Sequence, residues 1–182
     1  VRVVFRAMGD GQALQTSDPA AANYVAASTS TGIPLAVEYR SRGVSARPRW
    51  KSLTVTVNGG YLCEGDVITI VFGDTSGGSP GMRVQTMADG GFEFKVLADV
   101  CAVGHFVPIP DTPTVAIVPG PPVIWKAVLP TLRRPGERFR FGLKAEDRWG
   151  NPTDRATGHF VFETSLPVDG LPDTFDYRPG EK

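Results

Sequence analysis

Short runs in which apolar and polar residues alternate recur along the chain and predict a succession of β-strands. Leu35, Val37 and Tyr39 alternate with more polar neighbours, and residues 53–57 repeat the pattern. A period of two places successive side chains on opposite faces of a strand, which is typical of a strand buried on one face. No segment sustains a helical period, so the pattern predicts an all-β fold.

The remaining strands are predicted from the same alternation and from short apolar runs between turn signals. They cover residues 1–6, 23–25, 66–72, 82–88, 92–96, 115–117, 124–129, 139–145 and 160–162. Apart from the run at 23–25, residues 8–32 are rich in small and polar residues, which predicts a loop.

Residues 66–72 are the stretch around which we expect the first half of the chain to be organised. Both alternating sets of their side chains are largely apolar, as in a central strand that is buried on both faces. The loop that follows, residues 73–81, contains four glycines and one proline, a composition that permits positive φ angles and close backbone approach. We expect this loop to be ordered, with Asp74 in an Asx-type turn. Residues 82–88 are the predicted partner strand, and Asp89-Gly90-Gly91 predicts a hairpin turn after it.

The loop sequence Gly-Asp-Thr-Ser-Gly-Gly resembles the surroundings of the nucleophilic serine in trypsin-type proteases. In that fold the catalytic histidine precedes the serine, whereas His105 and His159 both follow it here. We therefore expect no catalytic residue, and the favoured interpretation is a β-turn or a nest of backbone amides that cradles an anion. The candidate ligand-binding residues are Asp74, Ser76, Ser79, Arg83 and Gln85.

A cluster of prolines at residues 119–122 divides the predicted strands into two groups. X-Pro bonds favour an extended and semi-rigid linker, so we place a domain boundary there. The prediction is two sandwich-like units, residues 1–120 and residues 121–182.

Composition supports a β-rich chain with many turns and excludes several classes of function. The 182 residues include 21 glycines and 16 prolines beside 41% hydrophobic residues. Nineteen basic residues balance nineteen acidic ones, so the excess positive charge that drives nucleic-acid binding is absent. No run approaches the roughly 18 apolar residues that a membrane span requires. We expect neither nucleic acid nor a membrane span.

Two cysteines and two histidines limit redox and metal chemistry. A disulfide between Cys63 and Cys101 is one expectation, and buried free thiols are the alternative. A zinc site would add His105, but the close ligand pairing of structural zinc sites is missing, so neither a metal nor a cofactor is expected. Exported, periplasmic and cytoplasmic locations all fit. Because the chain opens at Val1 inside a strand pattern, we expect a processed or clipped piece of a longer protein.

Two family resemblances rest on longer motifs. Residues 135–139, 143–152 and 157–158 resemble the first half of a bacterial immunoglobulin-like domain, with its Gly-Asn-Pro turn between early strands. Nearly the whole chain is similar to the N-terminal region of the family that carries domain of unknown function 3604. The motifs that carry this second resemblance are Gly65-Asp66, Gly73-Asp74, Ser79-Pro80-Gly81, Arg83-x-Gln85-Thr86, Phe106-Val107, Val118-Pro119-Gly120 and Ala145-Glu146-Asp147.

The second resemblance implies an accessory role. Full-length members of that family resemble PHP-type metal-dependent hydrolases in their C-terminal part, and the histidine-rich metal motifs of that part do not occur here. The resemblance therefore implies a non-catalytic, substrate-presenting or interaction region of a larger bacterial protein.

Two further hypotheses remain open. A carbohydrate- or small-ligand-binding module would stack a sugar on Trp50, Tyr61, Trp125 or Trp149, although such aromatics more often belong to a core. A stand-alone hydrolase would need two carboxylates roughly 5 to 10 Å apart, and the candidates for that pair are Asp10, Glu64, Asp66 and Asp74.

The second unit is short for the fold that it resembles. An immunoglobulin-like sandwich needs about seven strands and roughly 100 residues, whereas residues 122–182 number 61 and contain three clear strand patterns. We expect a further part of the same gene product or a neighbouring chain to complete the sandwich, because the tail at residues 166–182 is too irregular to do so alone.

Overall fold

The computed structural model describes residues 1–6, 10–42 and 49–180. Their regular structure consists of β-strands in several antiparallel sheets, which confirms the predicted all-β class. The chain divides into two compact units, Val1–Ile117 (unit 1) and Val118–Lys182 (unit 2). No helix among the described residues is long and apolar enough to cross a membrane.

The described part of unit 1 contains nine strands, which alternate between three sheets. They are β1 (Arg2–Arg6), β2 (Val25–Thr29), β3 (Leu35–Arg40), β4 (Arg49–Val57), β5 (Ile68–Phe72), β6 (Asp89–Glu93), β7 (Lys95–Ala98), β8 (Val107–Pro108) and β9 (Thr114–Ile117). A five-stranded sheet has the order β3-β4-β1-β7-β8, whereas β2 with β5 and β6 with β9 form two-stranded sheets.

The middle strand of the large sheet is β1, and the prediction that residues 66–72 form a central strand is wrong. β1 lies between β4 and β7, and Val3, Val4 and Phe5 are all buried. Among the described strands β5 pairs with β2 alone, and its Val71 is exposed. The apolar character of both faces of a strand does not determine which strands pair with it.

The core of unit 1 joins side chains from all three sheets, which gives the unit its sandwich-like character. Its buried apolar residues are Val3, Phe5, Leu14, Val25, Leu53, Val55 and Phe92. Phe5 of β1 meets the Phe72 ring of β5 edge to face and the Phe94 ring at a tilt, with centroid separations of 6.5 and 6.0 Å. Aromatic contacts therefore link the large sheet to β5 and to the segment between β6 and β7.

The predicted strand at residues 82–88 is not formed. Two backbone amides of this segment bond to side chains, and the segment is not part of a described strand. The Arg83 N–H donates to Asn23 Oδ1 at 2.8 Å, and the Thr86 N–H donates to Asp10 Oδ1 at 2.7 Å. The segment is therefore held by two polar side chains rather than by a strand ladder.

The predicted hairpin turn at residues 89–91 is also wrong, because these residues belong to β6. β6 pairs with β9 through a register irregularity between Asp89 and Phe92. The following strand, β7, pairs with β1 and β8 in the large sheet. The chain thus changes sheets at Phe94 instead of turning back on itself.

The described part of unit 2 contains five strands in two antiparallel sheets. They are β10 (Ile124–Val128), β11 (Gly142–Glu146), β12 (Pro152–Thr153), β13 (Gly158–Val161) and β14 (Thr174–Tyr177). β10, β11 and β12 form one sheet, and β13 and β14 form the other. Ala145, Ala156 and Tyr177 are buried at the centre of unit 2, with Trp125, Leu143 and Phe160 packed against them.

The tail of the chain contributes one strand to this unit, and the expectation that a further segment completes the sandwich stays a prediction. β14 lies within the tail at residues 166–182, pairs with β13 along its length and buries Tyr177. Trp125 meets the rings of Phe160 and Tyr177 edge to face, with centroids 4.7 and 5.0 Å apart. The immunoglobulin-like identity of the unit stays a prediction.

Candidate functional site

The loop at residues 73–81 is held by hydrogen bonds of its own, as predicted. Asp74 accepts from the Ser76 N–H with Oδ1 and from the Ser76 hydroxyl with Oδ2, both at 3.0 Å, which is an Asx-type turn. Ser79 is buried, and its Oγ accepts from the Gly81 N–H at 3.1 Å. Both serine hydroxyls therefore bond to groups of their own turn. As predicted, several glycines of the loop have positive φ angles: Gly73, Gly78 and Gly81.

Gly77 is required for a different reason, which is the close approach of the loop to residue 19. A Cβ atom at Gly77 would lie 2.4 Å from the Pro19 Cβ and 2.9 Å from the Pro19 carbonyl oxygen. The φ angle of Gly77 is outside the left-handed region, so the lack of a side chain, and not backbone freedom, is what this position needs.

Asn23 joins three segments at the end of the loop. It is buried and has a left-handed φ of 62°, a conformation that asparagine tolerates better than most residues. Its backbone N–H donates to the Gly81 oxygen at 2.9 Å, and its Oδ1 accepts from the Arg83 N–H. Its Nδ2 donates to Gln12 Oε1 at 2.9 Å. These bonds hold residues 81–83 beside residue 12.

A partly open cavity of about 50 Å³ lies beside this segment within unit 1. Strands β1, β4, β6 and β9 contribute to its lining, together with Phe94, Gly11, Gln12, Leu14 and residues 82–85. Its apolar lining includes Phe5, Leu14, Met82, Phe92, Val115 and Ile117. The lining residues that have polar side chains are Arg6, Gln12, Lys51, Arg83 and Gln85. Apolar walls with a few polar groups are typical of small-molecule sites.

The lining of this cavity carries positive charge. Arg6, Lys51 and Arg83 belong to it, and no carboxylate is among the lining residues of the described chain. Arg6 forms a salt bridge with Asp89 at 3.0 Å. Asp10 interacts electrostatically with Arg83, but both of its carboxylate oxygens accept hydrogen bonds from Thr86, at 2.7 and 2.6 Å.

The pKa of Asp10 is lowered by these surroundings. The hydrogen bond from the Thr86 hydroxyl is the largest cause, followed by the bond from the Thr86 backbone N–H, and the charge of Arg83 acts in the same direction. Each favours the ionised carboxylate. Asp10 is therefore ionised, and its carboxylate binds the backbone N–H and the hydroxyl of Thr86.

The structure brings only some of the predicted ligand-binding residues to the cavity. Arg83 and Gln85 line it, whereas Asp74, Ser76 and Ser79 do not. The sequence did not reveal the apolar lining as a site, since Phe5, Phe92 and Val115 show the same alternation as any core-facing strand. The gap between them depends on how three separate segments pack.

Asp147 is a buried carboxylate that organises the turn at residues 147–152 of unit 2. Its Oδ1 accepts from the N–H groups of Trp149 and Asn151, at 2.8 and 2.9 Å. Its Oδ2 accepts from the Gly120 N–H at 2.9 Å and from Asn151 Nδ2 at 2.8 Å. Four donors thus surround one carboxylate, which leaves no direction for a substrate or a cation.

The same donors set the ionisation of Asp147. Burial by itself raises its pKa, but the hydrogen bonds from the Asn151 side chain and from the backbone of Gly120, Asn151 and Trp149 outweigh burial. Their net effect holds the pKa of Asp147 well below its usual value of 3.8. At neutral pH the group is therefore an ionised structural residue rather than a general acid or base.

Glu146, the residue before Asp147, forms ion pairs with two lysines. It is almost fully buried, and its two carboxylate oxygens lie 2.6 Å from Lys126 Nζ and 2.7 Å from Lys144 Nζ. The hydrogen bond from Lys126, followed by that from Lys144, lowers the pKa of Glu146. A buried charge needs such partners, so Glu146 serves to join β10 and β11.

Three of the four carboxylates considered for a hydrolase have structural partners, and the fourth, Glu64, is exposed. Asp10 and Asp74 accept the backbone bonds described above, and Asp66 Oδ2 accepts from the Cys63 N–H at 2.7 Å. Among residues 1–6, 10–42 and 49–180, no group of three or more His, Cys, Asp or Glu side chains is placed to hold a metal ion. His159 faces solvent, as predicted, and pairs with Asp176 across β13 and β14 at 2.6 Å.

Cys63 and Cys101 are both free and exposed. The structure therefore contains neither a disulfide between them nor the buried thiols of the alternative expectation.

The aromatic residues considered for sugar stacking are dispersed. Trp125 belongs to the core of unit 2, and Trp50 is half-buried. Tyr61 is 80% exposed in unit 1, and Trp149 is 42% exposed in unit 2, where the Arg148 guanidinium lies 4.1 Å from its ring centroid. Within each unit the described residues thus expose a single member of this set.

Comparison with known proteins gave no match to a family model, a curated protein or a solved structure. Both family resemblances therefore stay predictions.

Proposed function

We propose that this chain is a non-catalytic accessory region of a larger bacterial protein of metal-dependent hydrolase type, in which unit 2 packs against another part of the same gene product. The observation that carries the proposal is the large share of apolar side chains that unit 2 exposes. The similarity to the N-terminal region of the domain of unknown function 3604 family supports the choice of partner.

Unit 2 exposes many more large apolar residues than it buries. Within its described residues the buried apolar side chains are Ala145, Ala156 and Tyr177. Thirteen large apolar residues are exposed, namely Val118, Val123, Ile124, Val128, Leu129, Leu132, Phe139, Phe141, Trp149, Val161, Leu166, Val168 and Phe175. Single exposed apolar residues are ordinary, but this density in so small a unit favours a contact surface.

One part of this surface combines apolar and cationic groups. Pro130, Arg133, Arg138, Phe139 and Arg140, here called the 130–140 patch, surround an open depression of about 390 Å³. Phe139 is 41% exposed, whereas Glu137, the nearby acid, lies 3.9 Å from Arg133. Three guanidinium groups with so little compensating charge fit an acidic partner surface that also offers an apolar contact.

The energetic contribution of such a contact is substantial. Full burial of a phenylalanine side chain is worth roughly 1.5 to 3 kcal/mol, and Phe139 and Phe141 are both partly exposed. Aromatic and arginine side chains are the types that dominate binding energy at protein interfaces. The 130–140 patch carries both.

Hydrogen exchange on the intact gene product, compared with the 182-residue chain alone, tests this proposal. We expect the backbone amides of residues 130–141 to exchange roughly tenfold more slowly in the intact protein, because a covered surface opens less often. The substitution Phe139→Ser should remove most of that protection, whereas Leu166→Ser, an exposed apolar position outside the patch, should leave it unchanged. Equal exchange in both proteins would overturn the proposal.

The alternative function is a carbohydrate- or small-ligand-binding module. The dispersed aromatic residues give little support to a sugar platform, since stacking needs exposed ring faces. The cavity of unit 1 favours a small ligand instead. A glycan array that shows binding to the 182-residue chain, lost on Tyr61→Ala or Trp149→Ala, would restore the carbohydrate hypothesis.

A further inference from the structure

We infer that the cavity of unit 1 is a binding site for a small aliphatic carboxylic acid, with the hydrocarbon chain inside and the carboxylate at Arg83. This inference is independent of the function proposed for unit 2. It rests on the size of the cavity, the chemistry of its walls and the charge of its polar lining.

The volume limits the hydrocarbon part of the ligand. The cavity measures about 50 Å³, which is about one third of the roughly 150 Å³ that encloses a benzene molecule in an engineered protein cavity. A chain of roughly three or four carbon atoms therefore fits, and an aromatic ring does not. Sugars are excluded on the same ground.

The walls favour hydrocarbon over water. Phe5, Leu14, Phe92 and Ile117 are apolar residues of the core that reach the cavity, and they offer a water molecule no hydrogen bond from their side chains. An ordered water needs two to four polar partners, and the apolar part of the lining supplies none, because the polar side chains belong to other lining residues. An alkyl chain has no hydrogen bonds to lose when it enters the cavity, and it removes its own apolar surface from water.

The polar lining favours a carboxylate. The Arg83 guanidinium makes no hydrogen bond to the described residues, and its electrostatic partner Asp10 is bound through both oxygens to Thr86. Gln12 uses its Oε1 to accept from Asn23, while its NH2 group makes no hydrogen bond within the described chain. A guanidinium presents paired N–H donors that match the two oxygens of a carboxylate.

The backbone of this site is rigidly placed. The Arg83 N–H is held by Asn23, and the Gln85 side chain donates to the Met87 oxygen at 3.0 Å. Gly11 packs directly under the segment, since a Cβ there would lie 3.4 Å from the Arg83 carbonyl oxygen. Arg83 is therefore presented from a fixed backbone, which limits the entropy lost when a ligand binds.

The test is a titration of the 182-residue chain with butyrate and isovalerate, followed by NMR at the Met82 and Ile117 methyl groups. We expect saturable shifts with a dissociation constant of about 1 mM or tighter, given the small number of ligand atoms. Acetate, which lacks the chain, and butanol, which lacks the charge, should each bind at least roughly tenfold more weakly.

Three variants assign the binding to named groups. Arg83→Gln should weaken butyrate binding roughly tenfold to a hundredfold, because a charge-assisted hydrogen bond is lost. Val115→Phe adds a ring at a lining position that is 45% exposed and should abolish binding without disturbing the core. Arg40→Gln, a cation of unit 1 outside the cavity, is the matched control and should bind as the natural chain does.

Two results would overturn the inference. Absence of saturable shifts at millimolar butyrate would remove the site. Equal affinity for butyrate and butanol, with no effect of Arg83→Gln, would show an apolar cavity that does not recognise an acid.

Discussion

Single polar side chains hold the irregular segments of this chain where strand pairing is absent. Asn23 and Asp10 bind the backbone of residues 81–86, and Asp147 binds that of residues 120 and 149–151. A buried backbone N–H without a partner costs about as much as a lost hydrogen bond. These three side chains therefore determine the path of the backbone over long loops.

Asp147 gives the first prediction, which concerns Asp147→Asn. An amide would place an NH2 group among four donors, so we expect lower stability at neutral pH. Because the pKa of Asp147 is depressed below 3.8 in the folded chain, its stabilisation is present above pH 3.8 and is lost as the pH falls below that value. The difference between natural chain and variant in urea unfolding should be largest above pH 4 and should shrink at lower pH.

Glu137→Gln is the matched control for this experiment, because Glu137 is an exposed carboxylate of the same unit. It should change stability little at any pH. A destabilisation by Asp147→Asn that is the same at pH 7 and at pH 2.5 would contradict an ionised, hydrogen-bonded Asp147.

At the scale of elements, the loop at residues 73–81 is an ordered and packed segment rather than a flexible connection. Its turns are closed by Asp74 and Ser79, and Gly77 lies against Pro19. The loop thus connects β5 to the segment that lines the cavity while it packs against the chain that precedes β2.

The second prediction concerns the contact made by Gly77. Gly77→Val should destabilise unit 1 by roughly 1 to 3 kcal/mol, because a Cβ at 2.4 Å from Pro19 forces the backbone apart. Gly90→Val is the control, since no heavy atom lies within 4 Å of a Cβ there and its φ is not left-handed, and it should change the free energy of unfolding by less than about 0.5 kcal/mol. Equal effects of the two substitutions in denaturant unfolding would show that the contact with Pro19 does not hold the loop.

At the scale of the whole molecule, each unit has a buried core of its own. Leu53 lies in the core of unit 1 and Tyr177 in that of unit 2, and both belong to clusters that stay within one unit. A compact unit with its own core usually unfolds cooperatively by itself.

The third prediction is that calorimetry of the 182-residue chain shows two unfolding transitions. Leu53→Ala removes a fully buried side chain. It should lower the free energy of unfolding of unit 1 by roughly 3 to 5 kcal/mol and so lower the midpoint temperature of that transition alone. Tyr177→Ala should lower only the other transition. One transition that both substitutions displace would mean that the two units fold as one.

The sequence by itself determined the all-β class and those strands whose alternation is strong. β3, β4, β9 and β10 lie where their patterns predict them, because the period of two is a local property of the extended backbone. The Asx-type turn at Asp74 and the turn at residues 147–152 were also predictable, since side chains such as Asp and Asn bond to backbone a few residues away.

Only the tertiary structure decided which strand is central, where the chain changes sheets and where a cavity remains. β1 takes the middle of the large sheet through partners that are 50 and 93 residues away, as Val3 pairs with Leu53 and Val96. Residues 82–88 have a strand-like sequence, yet two of their backbone N–H groups donate to the side chains of Asn23 and Asp10, which are distant in the chain. Strand pairing and cavities arise from contacts between segments far apart in the chain, and local patterns of hydrophobicity carry no record of those contacts.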